Sequence, residues 1–290
     1  MKKTTLTTLL KLVLTTAALG WLAYQIDWDK TLPLLQRAHW GWILLAFLIY
    51  NASQLTSTLR MGEHLKVVPI QEPFPFLIQL YYRCMFFNLF LPGGIGGDGY
   101  KVWLLRKRHQ SDYRLLLSAL LLDRGSGLVA ITFLALTLAG FSPWVAAVLP
   151  FPSLFLAGFA LVVFMGGWMI YWLFFKKFTR VYLRTFLLSI LLQSLQMIVL
   201  LCLLESMGVQ NARIEYGLIF LGSSLASVLP LTVGGIGVRE FVFLEAANYL
   251  PIASDQAVLA SLLFFLINAL SSLAGALVSL PNQPTNATLD

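Results

Sequence analysis

Two short stretches hold the residue types best suited to chemistry in this chain: LPGGIGGDGYK at residues 91–101 and LPLTVGGIGVRE at residues 229–240. Each sets the tetrapeptide GGIG after a Leu-Pro and before an acid and a cation. Glycine accepts positive φ and proline withdraws a backbone donor, so such a stretch breaks a helix and leaves amides without intrahelical partners. Amides at a glycine-rich turn suit an anionic group such as a phosphate. On this reading Gly93, Gly94, Gly96 and Gly97, with Gly234, Gly235 and Gly237, form two turns whose amides face a substrate. Lys101 and Arg239 would receive its phosphate, while Asp98 and Glu240 balance the adjacent cations or relay a proton. The alternative is that the glycines only let helices pack closely.

Ionisable and amide side chains inside apolar runs are the second signal: Arg83, Asn88, Asp123 and Arg124. In a helix starting near Leu115, Asp123 and Arg124 lie roughly 12–14 Å deep, and a charge at that depth costs at least about 3 kcal/mol unless paired or wetted. These four are expected to line a polar path; the competing account is buried ion pairs that fix helix register. Asp123 and Arg124 are sequence neighbours and cannot point the same way, so each needs its own partner. No cofactor or metal is expected. Cys84 and Cys202 read as buried hydrophobes, and His39, His64 and His109 are scattered singly. No HExxH, GxSxG or serine-lysine arrangement is present, and GGIGGDG lacks the strand and Lys-Ser/Thr ending of a nucleotide loop. The chain is therefore not expected to be an enzyme.

The elements that must position these residues are set by composition. With 58% apolar and 11% charged residues and a mean hydropathy of +0.79, the 290-residue chain is a polytopic all-α membrane protein. Its net charge of +7 reports the basic loops of such proteins, not nucleic-acid binding. Crossings are expected at Met1–Tyr24, Gly41–Arg60, Leu115–Gly140, Ser153–Phe175, Thr185–Leu204 and Gln256–Leu280. Phe76–Leu91 and Tyr216–Leu229 are short, and each ends in proline and glycines. If Phe76–Leu91 crossed fully, the cations at Lys101, Arg106, Lys107, Arg108 and Arg114 would face outside, against the charge rule. A re-entrant hairpin removes that conflict, and the same argument gives a second hairpin from the opposite side. A short helix is expected at Phe241–Leu250 and a polar tail at residues 281–290. The alternative is eight ordinary spans.

The result is about six transmembrane helices plus two re-entrant or broken helices in one domain, with both termini cytoplasmic. The two GGIG sets are 141 residues apart, and crossing, hairpin, crossing recurs at residues 41–140 and 185–280. That is the pattern of an inverted repeat with its site at the midplane.

Asn88, then LPGGIGGD with a cation three residues on, then Asp123-Arg124-Gly125, then a proline followed by GGIGVRE, together resemble the membrane domain of the lysylphosphatidylglycerol synthase/flippase family over roughly residues 5–280. The family's usual arginine after GGD falls on Lys101, which offers a point charge in place of a bidentate fork. The resemblance implies the flippase half of such proteins and not lipid aminoacylation: movement of a lipid headgroup between leaflets of a bacterial or archaeal inner membrane, to which Lys101, Arg239 and the glycine turns add the expectation that the headgroup is anionic. Two other classes fit the same residues. One is a membrane-embedded transferase on a lipid-linked substrate, with Asp98 or Glu240 as acid or base. The other is a scaffold docking a lipid-modifying enzyme through Lys176–Arg184.

Overall fold

The computed structural model describes residues 33, 36–90, 96–227, 238–278 and 280. The expected first crossing, the tips of both glycine turns and the tail lie outside the described residues. Along the chain the helices are α1 (Trp40–Leu65), α2 (Phe74–Phe90), α3 (Gly96–His109), α4 (Tyr113–Ala139), α5 (Pro143–Ala146), α6 (Pro152–Phe174), α7 (Tyr182–Ser206), α8 (Arg213–Ala226), α9 (Val238–Ala246) and α10 (Ser254–Leu273). Tight 3-10 turns occupy Lys176–Val181 and Ala274–Leu277, and no strand occurs among the described residues.

Five helical stretches among the described residues are long and apolar enough to cross a membrane: α1, α4, α6, α7 with its preceding 3-10 turn, and α10 with the turn that follows it. They match the five expected crossings after Tyr24. The chain is a multi-pass, all-α membrane protein. One addition to the sequence reading is α3, a 14-residue helix where only a basic cluster was foreseen. Its first turn carries Asp98 and its last turn Arg106, Lys107, Arg108 and His109, which complements the helix dipole at both ends.

α2 and α3 form an antiparallel hairpin. At its base Arg108 Nε donates to Glu72 Oε1 at 2.7 Å, and His109 Nε2 lies 2.8 Å from the same oxygen. Near its tip the Gly97 amide donates to Asn88 Oδ1 at 2.7 Å. A Cβ at Gly97 would sit 2.4 Å from the Cys84 carbonyl oxygen, so only glycine permits this approach of the two legs. The legs have 17 and 14 residues, about 25 and 21 Å of helix, both short of a hydrocarbon core of about 30 Å. The helix expected at Phe76–Leu91 is thus one leg of a short hairpin. The second hairpin, α8 and α9, is built alike: residues 208–212 before it and 251–253 after it line one shallow depression of about 260 Å³.

Contacts fix the direction of each element. The His39 amide donates to the Ser206 carbonyl at 2.9 Å, so the start of α1 meets the end of α7. Ser142, after α4, bonds Glu215 at the start of α8 at 3.1 Å, on that same side. At the other end His64 of α1 meets Tyr171 of α6 at 3.0 Å, and Arg83 of α2 donates to the carbonyls of Gly275 and Ala276 at 3.2 and 3.1 Å. The two hairpins therefore enter from opposite faces. The face at the base of the α2–α3 hairpin carries Lys66, Arg106, Lys107, Arg108, Arg114, Lys176, Lys177, Arg180 and Arg184 and is the basic face.

The core divides into two apolar clusters. One joins Tyr50, Leu203, Tyr216, Phe220, Phe243 and Phe264; the other, at the basic end, joins Leu65, Leu80, Leu104, Leu116, Phe178 and Tyr182. Between them the buried face of α1 is polar, with Ser53, Gln54, Ser57 and Arg60 at most 8% exposed. By contrast, only 11% of the apolar window of α6 is buried inside the protein, so this helix forms the lipid-facing margin.

Candidate functional site

Asp123 and Arg124 point apart, as neighbours on a helix must, and each finds its own partner. Asp123 turns inward to Arg60 of α1: Arg60 Nε donates to Oδ1 at 2.9 Å and Nη2 to Oδ2 at 3.4 Å. Arg60 Nη1 continues to Ser189 of α7 at 3.1 Å, and His64 Nδ1 lies 3.6 Å from the carboxylate. The side chains of Arg60 and Asp123 are each 9% exposed. This cluster joins α1, α4 and α7 and is a buried brace.

Arg124 turns instead to α3, where its Nε donates to Asp98 Oδ2 at 2.5 Å. The other oxygen of Asp98 accepts from Lys101 Nζ at 3.2 Å. Lys101 is 5% exposed and lies 5.2 Å from the centroid of the Tyr81 ring, whose hydroxyl donates to Ser57 at 2.7 Å. Of the three charges, Arg124 has the most exposed side chain, 39% against 18% for Asp98 and 6% for Lys101.

Asp98 and Arg124 line a groove of about 1190 Å³ between α3 and the first half of α4. Arg106, Lys107 and Asp112 stand toward its basic end, while Trp103, Leu117 and Leu121 line its apolar wall. Its volume exceeds the roughly 300–1,000 Å³ of a small-molecule pocket. From Tyr113 to Arg124 the groove follows about 17 Å of helix, more than half of a hydrocarbon core. Its walls carry three cations against two carboxylates, so it favours an anion at the head of an apolar body.

The remaining sequence-predicted residues fall elsewhere. Asn88 joins the two legs of the α2–α3 hairpin through the Gly97 amide, and Arg83 ties α2 to the 3-10 turn that follows α10. Neither lines the groove. Arg239 packs over Phe264 and Phe220, 4.5 and 5.0 Å from their centroids, and its Nη2 donates to Ser224 at 3.4 Å. Gly93, Gly94, Gly234, Gly235 and Gly237 lie outside the described residues, as does the side chain of Glu240. Gly96 and Gly97 open α3. The α2–α3 hairpin touches α1 directly, while Arg239 of α9 is linked to it through Phe264 of α10. Tyr50 packs edge-on to Phe264, the ring that also carries Arg239, while Tyr82 of α2 donates to Asn51 at 2.7 Å and Tyr81 to Ser57.

Sequence reasoning missed Arg60, read only as a helix end, and His64. Their signal was the polar spacing Tyr50, Gln54, Ser57, Arg60, His64, which repeats every three or four residues along one face of an otherwise apolar helix. Among the described residues no group of His, Cys, Asp and Glu could hold a metal.

Five helices long and apolar enough to cross a membrane, two short helical hairpins and an interior braced by ion pairs define a polytopic all-α membrane protein. The chain belongs to the family of the lysylphosphatidylglycerol synthase TM region, whose model matches residues 8–181 and 175–275. Comparison with curated proteins finds no match. Membership ties the chain to membrane-lipid function.

Proposed function

We propose that this protein moves a lipid with an anionic headgroup between the leaflets of a bacterial or archaeal inner membrane. The observation that carries the reading is the α3–α4 groove, which joins an apolar wall to the cations Arg106, Lys107 and Arg124. A headgroup drawn along it travels beside Arg106, Lys107 and Arg124 while the acyl chains stay against Trp103, Leu117 and Leu121 and the surrounding lipid. Crossing, hairpin, crossing at residues 41–140 and again at 185–280 supports alternating exposure of a site between two inverted halves. The basic face is read as cytoplasmic by the positive-inside rule, and the proposal keeps both termini on that side.

The transferase reading needs an acid or base free to exchange protons. Asp98 does line the groove, but both of its oxygens are already engaged, one by Lys101 and the other by Arg124. The protein is therefore read as a transporter and not an enzyme, and a scaffold role finds no support in the groove.

The test is the purified protein in vesicles containing headgroup-labelled phosphatidylglycerol, with a membrane-impermeant quencher added outside. Translocation several-fold faster than in empty vesicles is expected, with all lipid recovered unchanged by mass spectrometry. No acceleration for any of several headgroups sinks the transport reading, and a covalently altered lipid replaces it with the transferase.

A further inference from the structure

The salt bridge between α3 and α4 sits in an unusual place. Arg124 is the cation deepest along the groove, yet its Nε is held by Asp98, a side chain of the facing wall. Asp98 in turn has a second partner, the buried ammonium of Lys101. We propose that Asp98 is a built-in counter-anion occupying the seat of a substrate phosphate, and that a phosphate-bearing lipid binds by taking Arg124 from it. The inference rests on the transport reading for its purpose, though not for its binding step.

Three features support the exchange. First, the carboxylate can release Arg124 without being stranded, because Lys101 stays 3.2 Å from its other oxygen. Second, a guanidinium binds phosphate in the same forked manner as carboxylate, so the seat fits both anions. Third, the apolar wall below Arg124, formed by Val102, Trp103, Leu117 and Leu121, offers nothing to free phosphate and a continuous surface to an acyl chain. With the groove empty, the Asp98–Arg124 bridge ties α3 to α4. Phosphate binding unties them, so occupancy and the freedom of the hairpin leg are coupled. An acid that competes for the cation also sets selectivity: a ligand lacking phosphate cannot open the bridge.

Trp103 is 51% exposed and lines the groove, so it reports occupancy directly. The experiment uses the full chain in detergent micelles and follows quenching of its tryptophan fluorescence by brominated lipids. The Trp103 contribution is the difference from a Trp103→Phe control. Because the bridge is partly exposed, its removal is expected to change affinity on the order of three-fold. Asp98→Asn should lower half-saturating brominated phosphatidylglycerol by that factor, and Arg124→Gln should raise it by at least as much. Asp98→Asn leaves Lys101 buried without its carboxylate, so Asp98→Asn/Lys101→Met is measured beside it and should tighten binding similarly.

Brominated diacylglycerol, which has no phosphate, should bind alike in all variants. Unchanged affinity for phosphatidylglycerol in both Asp98 variants overturns the proposal, as does diacylglycerol responding in parallel. Competition by millimolar inorganic phosphate or glycerol 3-phosphate at the lipid's own potency overturns the lipid assignment in favour of a soluble phosphate. If the binding pattern holds while vesicles show no translocation, the transport reading fails and the phosphate seat stands.

Discussion

Removing Asp123 should destabilise the protein more than removing any exposed charge. Its carboxylate takes two hydrogen bonds from Arg60, at 2.9 and 3.4 Å, with both side chains 9% exposed. In Asp123→Ala the guanidinium of Arg60 would keep Ser189 at 3.1 Å and lose its counter-charge at membrane depth. Breaking a buried pair by deleting one partner costs about 3–5 kcal/mol, because the survivor stays desolvated. At roughly 2–4 °C per kcal/mol for a chain of this size, the unfolding midpoint should fall on the order of 10 °C. The same reasoning makes an opposite demand on the double variant Arg60→Met/Asp123→Leu. With both charges gone and volume roughly kept, stability should return to within about 1 kcal/mol of the parent or exceed it. Thermal unfolding in detergent, followed by aggregation-sensitive size-exclusion chromatography, measures both. A midpoint within about 1 °C of the parent for Asp123→Ala, or a double variant no better than the single, would falsify the account of this cluster as a closed structural brace.

Further predictions follow from the hairpins. In a background lacking Cys84 and Cys202, single cysteines at Gln71 and Gln110, both exposed, should react with an impermeant thiol reagent from one side of the membrane, and one at Asn211 from the other; labelling of 71 and 110 from opposite sides would mean that α2 crosses. Gly97→Val should lose about 1–3 kcal/mol or more by overpacking, since a Cβ there already meets the Cys84 carbonyl at 2.4 Å, and a parent-like melting midpoint would show the hairpin legs are looser than described. Gly275→Ala should be damaging for the same reason, its Cβ falling 2.0 Å from the Tyr82 carbonyl, and a well-folded variant with an undisturbed midpoint would contradict the close seating of α10 on α2. Glu72→Gln should loosen the hairpin base by weakening its bonds to Arg108 and His109, seen as faster backbone hydrogen exchange in α3 with α10 unaffected.

Much of the architecture was legible in the chain because a bilayer leaves little choice. Backbone groups must be satisfied within each segment, so apolar runs of about 20 residues become helices, and the five described crossings fall where hydropathy places them. That Phe76–Leu91 belongs to a hairpin was legible too, from its length and from the cations that follow. Adjacency on a helix also required Asp123 and Arg124 to find separate partners. Which partners these were was beyond pattern reading. Arg60, 63 positions before Asp123, meets it because α1 packs beside α4, and nothing local to either residue encodes that distance.

The division at the site has the same origin. Sequence alone set Arg124 deep within a long apolar helix and put Asp98 and Lys101 beside a glycine turn, since both follow from position along the chain. Only tertiary structure decided that Arg124, and not Lys101, lines the groove. Lys101 points back from α3 toward Tyr81 of its own hairpin and is sealed there, while Arg124 reaches across from α4 to the face of α3 that α2 leaves uncovered. Side-chain direction around a helix becomes exposure only once the neighbouring helix is in place.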